Sequence, residues 1–218
     1  VAQAVASARR WIMPTFESRN RLDSRAGTAL FLKRWLRRPF AMGAVIPSGR
    51  LLAEAMACAT LEALDGWPGH VVELGAGTGE VTKALLAAGV PPERLALVER
   101  DPELAAFLRR HFEALQIIEG DAVRLPRLLA DHRAAPIAAV VSSLPLLSLP
   151  TDIVNGVVHG IFEALPHGAA LVQFTYGPTP PVPRALRQSL RLVGTRSQRI
   201  WRNVPPAVVW TFRKPPAA

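Results

Sequence analysis

A run of glycines and a few acidic or hydroxylic side chains carry the chemistry open to this chain. The run is Glu73-Leu-Gly75-Ala76-Gly77-Thr78-Gly79, directly after the apolar Val71 and Val72. Glycines at alternate positions allow positive φ and let a ligand approach the backbone closely. Glu99 follows 22 residues beyond Gly77. A carboxylate there can accept both hydroxyls of a ribose, with Arg100 beside it. Asp121, next to Ala122, is placed either to accept from an adenine amino group or to cap a turn. Together these residues suit a nucleoside-like ligand. The glycines alone do not say which one, because their spacing misses the G-x-x-G ending of dinucleotide turns, and a ligand-free βα turn competes with the whole reading.

These residues need strand ends to hold them. The apolar runs predict strands at Val71–Leu74, Leu95–Glu99, Gln116–Glu119, Ile137–Ser142 and Ala169–Tyr176. Helices are expected over Leu51–Leu64, Glu80–Ala88, Pro102–Phe112, Leu125–Ala130, Asp152–Ala164 and Pro183–Leu192, and over Arg199–Arg213 either two short strands meeting at Pro205-Pro206 or a single broken hairpin. Such alternation implies an α/β fold, a mostly parallel sheet covered on both faces, with ligands at the carboxyl ends of the strands. The expected division is a helical extension over residues 1–67 and a ligand-binding domain over 68–218.

Charge is segregated along the 218 residues, whose net charge is +9. Residues 1–50 carry net +8, residues 51–163 net −7 and residues 164–218 net +8. A basic head and tail around an acidic middle predict that a polyanionic surface, lipid or nucleic acid, meets the two ends; plain solubility is the bland alternative. Two stretches without charge, Ala134–Thr151 and Ala164–Pro183, contain too many prolines to span a bilayer. No apolar leader opens the chain, so secretion is not indicated. Cys58, the only cysteine, excludes an internal disulfide and suggests buried filler in a reducing compartment. Histidines 70, 111, 132, 159 and 167 lack ligand spacing, so no metal is expected.

Thr28–Arg38 reads as a basic amphipathic helix. Phe31, Leu32, Trp35 and Leu36 share one face, and Lys33, Arg34, Arg37 and Arg38 the other. A purely cationic polar face favours a helix lying in a membrane interface over one packed on the domain. The segment from Gly43 through Ser48 to Arg50 then forms either a cover over a ligand or a connecting turn, with Ser48 as a possible helix cap.

Ser142-Ser143-Leu144-Pro145 follows the fourth strand, where an acceptor would meet the ligand. Tyr176 just past the fifth strand offers a π face or a hydroxyl, and Trp201, Arg202 and Asn203 offer a phosphate and glycerol grip. A rim tyrosine and an edge strand with surface arginines are the plain alternatives.

Taken together, these segments resemble bacterial phospholipid N-methyltransferases. The resemblance rests on Phe31-x3-Trp35, Gly43-Ala44-x2-Pro47-Ser48, Val72-Glu-Leu-Gly-Ala-Gly-Thr-Gly79, Glu99, Asp121, Ser142-Ser-Leu-Pro145 and Trp201-Arg-Asn-x-Pro-Pro-Ala207. It implies the class I, Rossmann-like methyltransferase fold of seven strands, with S-adenosylmethionine held by Glu73, Gly75, Ala76, Gly77, Thr78, Gly79, Glu99, Arg100, Asp121, Ala122 and Ser142. It further implies stepwise methylation of phosphatidylethanolamine through mono- and dimethyl forms to phosphatidylcholine. Ser48, Ser142 and Tyr176 would then serve at the reacting amine, and Gly43, Arg50, Trp201, Arg202 and Asn203 at the lipid. The partners expected are a phospholipid and an anionic membrane surface, not nucleic acid, for a monomer peripheral to the inner face of the cell membrane. An RNA adenine dimethyltransferase is the rival reading. It normally carries an amide and an aromatic ring after the fourth strand, and residues 142–147 carry neither; a helical RNA-binding domain after residue 218 is not expected. A cofactor-binding membrane scaffold without catalysis is the third reading.

Overall fold

The computed structural model describes residues 47–131, 136–177, 179–197, 199–203 and 205–215. Gly43 and the expected membrane helix with Phe31, Lys33, Arg34, Trp35, Arg37 and Arg38 lie outside the described residues, as does the side chain of Ser48.

Helices and strands alternate as the apolar runs require. In chain order they are α1 (Pro47–Leu64), β1 (His70–Leu74), α2 (Glu80–Ala87), β2 (Leu95–Glu99), α3 (Pro102–His111), β3 (Gln116–Glu119), α4 (Leu125–Asp131), β4 (Ile137–Ser142), α5 (Thr151–Ala164), β5 (Ala170–Thr175), α6 (Arg184–Ser189), β6 (Val193–Arg196) and β7 (Val208–Arg213). The strands form one seven-stranded sheet in the order β3-β2-β1-β4-β5-β7-β6. The first five are parallel, and β7 enters antiparallel to β5 and β6. Strands β1, β2, β4 and β5 are buried almost throughout, which is why they read as mainly apolar runs, with Glu73 and Gln173 as buried polar exceptions.

Two apolar layers sandwich the sheet. One joins Val72, Leu74 and Val140 to Leu125 and Leu129 of α4, Val158 and Ile161 of α5 and Leu186 of α6. The other joins Val71, Leu97 and Val141 to Leu52 and Met56 of α1, Leu85 of α2 and Leu108 of α3. Helix α1, from the extension expected over residues 1–67, packs in this second layer.

The chain order reverses between β1 and β4, so a crevice opens at their carboxyl ends. There Leu74 pairs with Val98 of β2 on one side and Ser142 of β4 on the other.

Several expectations need correction. The helix expected from Leu51 begins at Pro47, so Ser48 sits inside its first turn rather than capping it. Cys58 is exposed, not buried. The sixth helix is shorter than expected, since the chain turns at Arg191 with a left-handed φ of 52°. The tail hairpin begins at Val193, not Arg199, and among the described residues between its strands only Ile200 and Ala207 form a bridge. Among the described residues, no helix is long and apolar enough to cross a membrane.

Candidate functional site

The glycine turn leaves β1 and enters α2 with Gly75, Gly77 and Gly79 at φ 70°, 58° and 80°. The three glycines do different work. A Cβ on Gly75 would strike Leu144 at 2.8 Å, and one on Gly79 would strike the Phe112 ring at 2.5 Å. These two are required by close packing. A Cβ on Gly77 would meet nothing nearer than the Gly75 carbonyl at 4.0 Å, so here the turn opens into space. No side chain caps α2, and its first turn faces the same crevice.

Glu99 closes β2, the strand beside the turn, and is 7% exposed. Its Oε2 accepts from the Gly77 N–H at 3.0 Å and its Oε1 from the Asp101 N–H at 2.9 Å. The carboxylate is thus fixed before any ligand arrives, and each oxygen keeps a lone pair. Asp121 accepts from the Val123 N–H at 3.0 Å through Oδ1, so the capping role is real. Its Oδ2 is 3.8 Å from the exposed Arg100 guanidinium and is free for another donor. Ala122 and Ala76 are buried beside these groups.

Glu73 is fully buried on the α2 side of the sheet. Thr82 donates to its Oε2 at 2.7 Å, while Oε1 has no partner among the described residues. Burial chiefly, opposed by the Thr82 hydrogen bond and aided by the nearby Glu99 charge, pushes its carboxyl from 4.5 up to about 8. An orphaned buried oxygen two residues before an open glycine turn fits a site that a bound ligand completes. Thr82 was missed in the sequence. The available signal was a hydroxyl three residues before the buried Leu85 on the apolar side of α2.

Ser142 ends β4, and Tyr176 follows directly on β5. Ser142 is buried, and its Oγ accepts from the Leu144 N–H at 3.3 Å. The enclosed Ser143 hydroxyl has no partner among the described residues. Gln173 of β5, in register with Ser142, donates to the Leu144 carbonyl at 2.9 Å and steadies the loop. Tyr176 is half-buried and meets Phe174 edge to face at 5.2 Å; burial raises its phenol pKa, so the hydroxyl stays protonated.

The remaining expected contacts are dispersed. Arg50, in the first turn of α1, is exposed and pairs with Glu54 at 2.8 Å. Asn203 is buried and donates to the Pro205 carbonyl at 2.6 Å, while its Oδ1 has no partner among the described residues. Trp201 and Arg202 next to it are exposed.

Solved structures share this architecture. The magnesium protoporphyrin IX methyltransferase of Synechocystis PCC 6803, with SAM bound, superposes with a TM-score of 0.62 at 12% identity, covering 90% of this chain and 100% of that one. An O-methyltransferase from Bacillus cereus in complex with SAH gives 0.58 at 12% identity, over 88% and 91%. The chain has the class I methyltransferase fold. No protein-family model matches it. In sequence it is 33% identical over 111 residues to the ornithine lipid N-methyltransferase of Singulisphaera acidiphila, covering 50% of this chain and 58% of that protein. It is also 31% identical over 151 residues to ribosomal RNA small subunit methyltransferase A of Anaeromyxobacter dehalogenans, over 64% and 52%. The chain thus spans little more than half the length of these relatives.

Proposed function

We propose that the protein is an S-adenosylmethionine-dependent N-methyltransferase whose acceptor is the primary amine of a membrane phospholipid, phosphatidylethanolamine, methylated stepwise to phosphatidylcholine. The observation that carries the cofactor is the open face of Gly77 against the fixed Glu99 carboxylate. When bound there, S-adenosylmethionine supplies an electrophilic methyl group on a sulfonium. Glu99 holds the ribose, Asp121 accepts from the base through its free oxygen, and the buried Glu73 and Thr82 support the glycine turn. The acceptor reading is supported by residues 142–145, which lack the amide and ring that an adenine would need, and by the similarity to an enzyme named for an amine-bearing lipid.

An aliphatic amine needs orientation more than activation once it has lost its proton. Ser143 can accept an amine N–H at the end of β4, and the Tyr176 ring can face the growing methylammonium. None of the residues placed here is a strong base, so the amine proton leaves to water. The longer match to an RNA methyltransferase keeps RNA adenine as the second reading.

Vesicles of phosphatidylethanolamine incubated with methyl-labelled cofactor should yield labelled lipid. Absence of lipid label, under conditions where cofactor binds, would refute the acceptor.

The glycines give an independent check. Gly79→Ala should cost about 2 kcal/mol or more of stability, combining a left-handed φ with a clash on Phe112. Gly77→Ala should cost about 1 kcal/mol, for backbone strain alone, yet weaken cofactor binding more. Denaturant midpoints and titration with S-adenosylhomocysteine read the two effects, and the opposite ranking would contradict the assignment.

A further inference from the structure

Strand β7 runs antiparallel to β5, and its first residue, Val208, pairs with Thr175, the last of β5. The loop joining β6 to β7 must therefore project from the carboxyl edge of the sheet, the edge that carries the glycine turn and Tyr176. Arg196 ends β6 on the same side, in register with Trp210, which in turn pairs with Gln173. The loop is a built feature. Ile200 packs in the layer that holds Phe174 and Tyr176, bridges to Ala207, and accepts from the Asn203 N–H at 3.2 Å. This frame leaves Trp201 70% exposed, with the Arg199 guanidinium 5.0 Å from its ring centroid.

Across Tyr176 lies a second exposed apolar residue. Leu147 is 55% exposed, and its Cδ1 lies 3.5 Å from where a Cβ on Gly177 would stand. No acidic residue occurs from 164 to the end of the sequence. Among the described residues no carboxylate pairs with Arg196, Arg199 or Arg202.

We propose that this edge is a membrane-docking surface. Trp201 and Leu147 enter the interface of an anionic bilayer on either side of Tyr176, while Arg196, Arg199 and Arg202 meet its headgroups. The proposal rests on the lipid-acceptor reading and adds what that reading lacked: the reaction crevice opens onto the bilayer, so the acceptor amine reaches it while its acyl chains stay in lipid. Charge complementarity and an indole at the polar–apolar boundary favour a bilayer. Leu147 decides against RNA, since an aliphatic side chain gains from lipid and has no π face for a base.

The test uses the full chain with vesicles of phosphatidylethanolamine and phosphatidylglycerol at low salt. Each arginine near such a surface contributes enough that Arg196→Gln with Arg199→Gln should lower vesicle partition about thirtyfold. Leu147→Asn should lower it as well. Lipids brominated on their acyl chains should quench tryptophan emission in the wild type and less in Trp201→Phe. Methylation of vesicle-borne phosphatidylethanolamine should fall further in the arginine variant than methylation of a dispersed short-chain form. Unchanged partition, or equal losses on both lipid forms, would overturn the proposal. So would loss of duplex RNA binding with vesicle partition intact. A wild type that methylates neither lipid while the variant loses partition would leave docking supported and the acceptor reading refuted.

Discussion

Glu99→Ala is expected to weaken S-adenosylmethionine binding by about a hundredfold or more. Two charge-assisted hydrogen bonds to ribose hydroxyls are each worth about 1.5–3 kcal/mol, and each 1.4 kcal/mol is about a tenfold change in affinity. The substitution also releases the Gly77 and Asp101 N–H groups, which the carboxylate now holds at 3.0 and 2.9 Å, so the turn loses its preset shape. Glu99→Gln should fall between, because the amide keeps one acceptor but loses the charge. Calorimetric titration with cofactor and with its demethylated product checks this. An unchanged dissociation constant in the alanine variant would remove Glu99 from the site.

The second large effect lies in stability against pH. In the unfolded chain Glu73 titrates near 4.5, and in the folded protein near 8. Between those values the folded state holds a proton that the unfolded state has released. The contribution of this group to stability is therefore full below about 4.5 and is lost as pH rises through about 8. The loss is on the order of a few kcal/mol. Glu73→Gln keeps the shape and an acceptor for Thr82 but cannot ionise, so it should flatten this slope and be the more stable form at about pH 9. Urea denaturation of both proteins across the range reads it; parallel curves would mean that Glu73 is not protonated in its buried site.

Much of the scaffold was legible because burial writes itself into the sequence. Strands β1, β2, β4 and β5 are buried on both faces, so short, mainly apolar runs marked them within a residue or so. Strand β6 escaped because all four of its residues are exposed at the sheet edge, where no apolar signal is required. Cys58 could have been placed by phase, since α1 buries Met56 and Thr60, and a residue midway between them points the other way. The partners of Glu73 and the two glycines were not legible. That Thr82, Leu144 and Phe112 reach the turn depends on how α2, α3 and the loop after β4 pack, and spacing does not encode it. The tail segment Trp201-Arg202-Asn203 read as one grip, yet the fold divides it, burying Asn203 to shape the turn and leaving Trp201 and Arg202 in solvent.

The most direct test of the account is where the methyl group goes. One reaction containing phosphatidylethanolamine vesicles, small-subunit ribosomal RNA and methyl-labelled S-adenosylmethionine can be extracted into lipid and RNA fractions. Label is expected in the lipid fraction, on nitrogen, and is lost with Glu99→Ala. Label in the RNA fraction, with none in lipid, would contradict it.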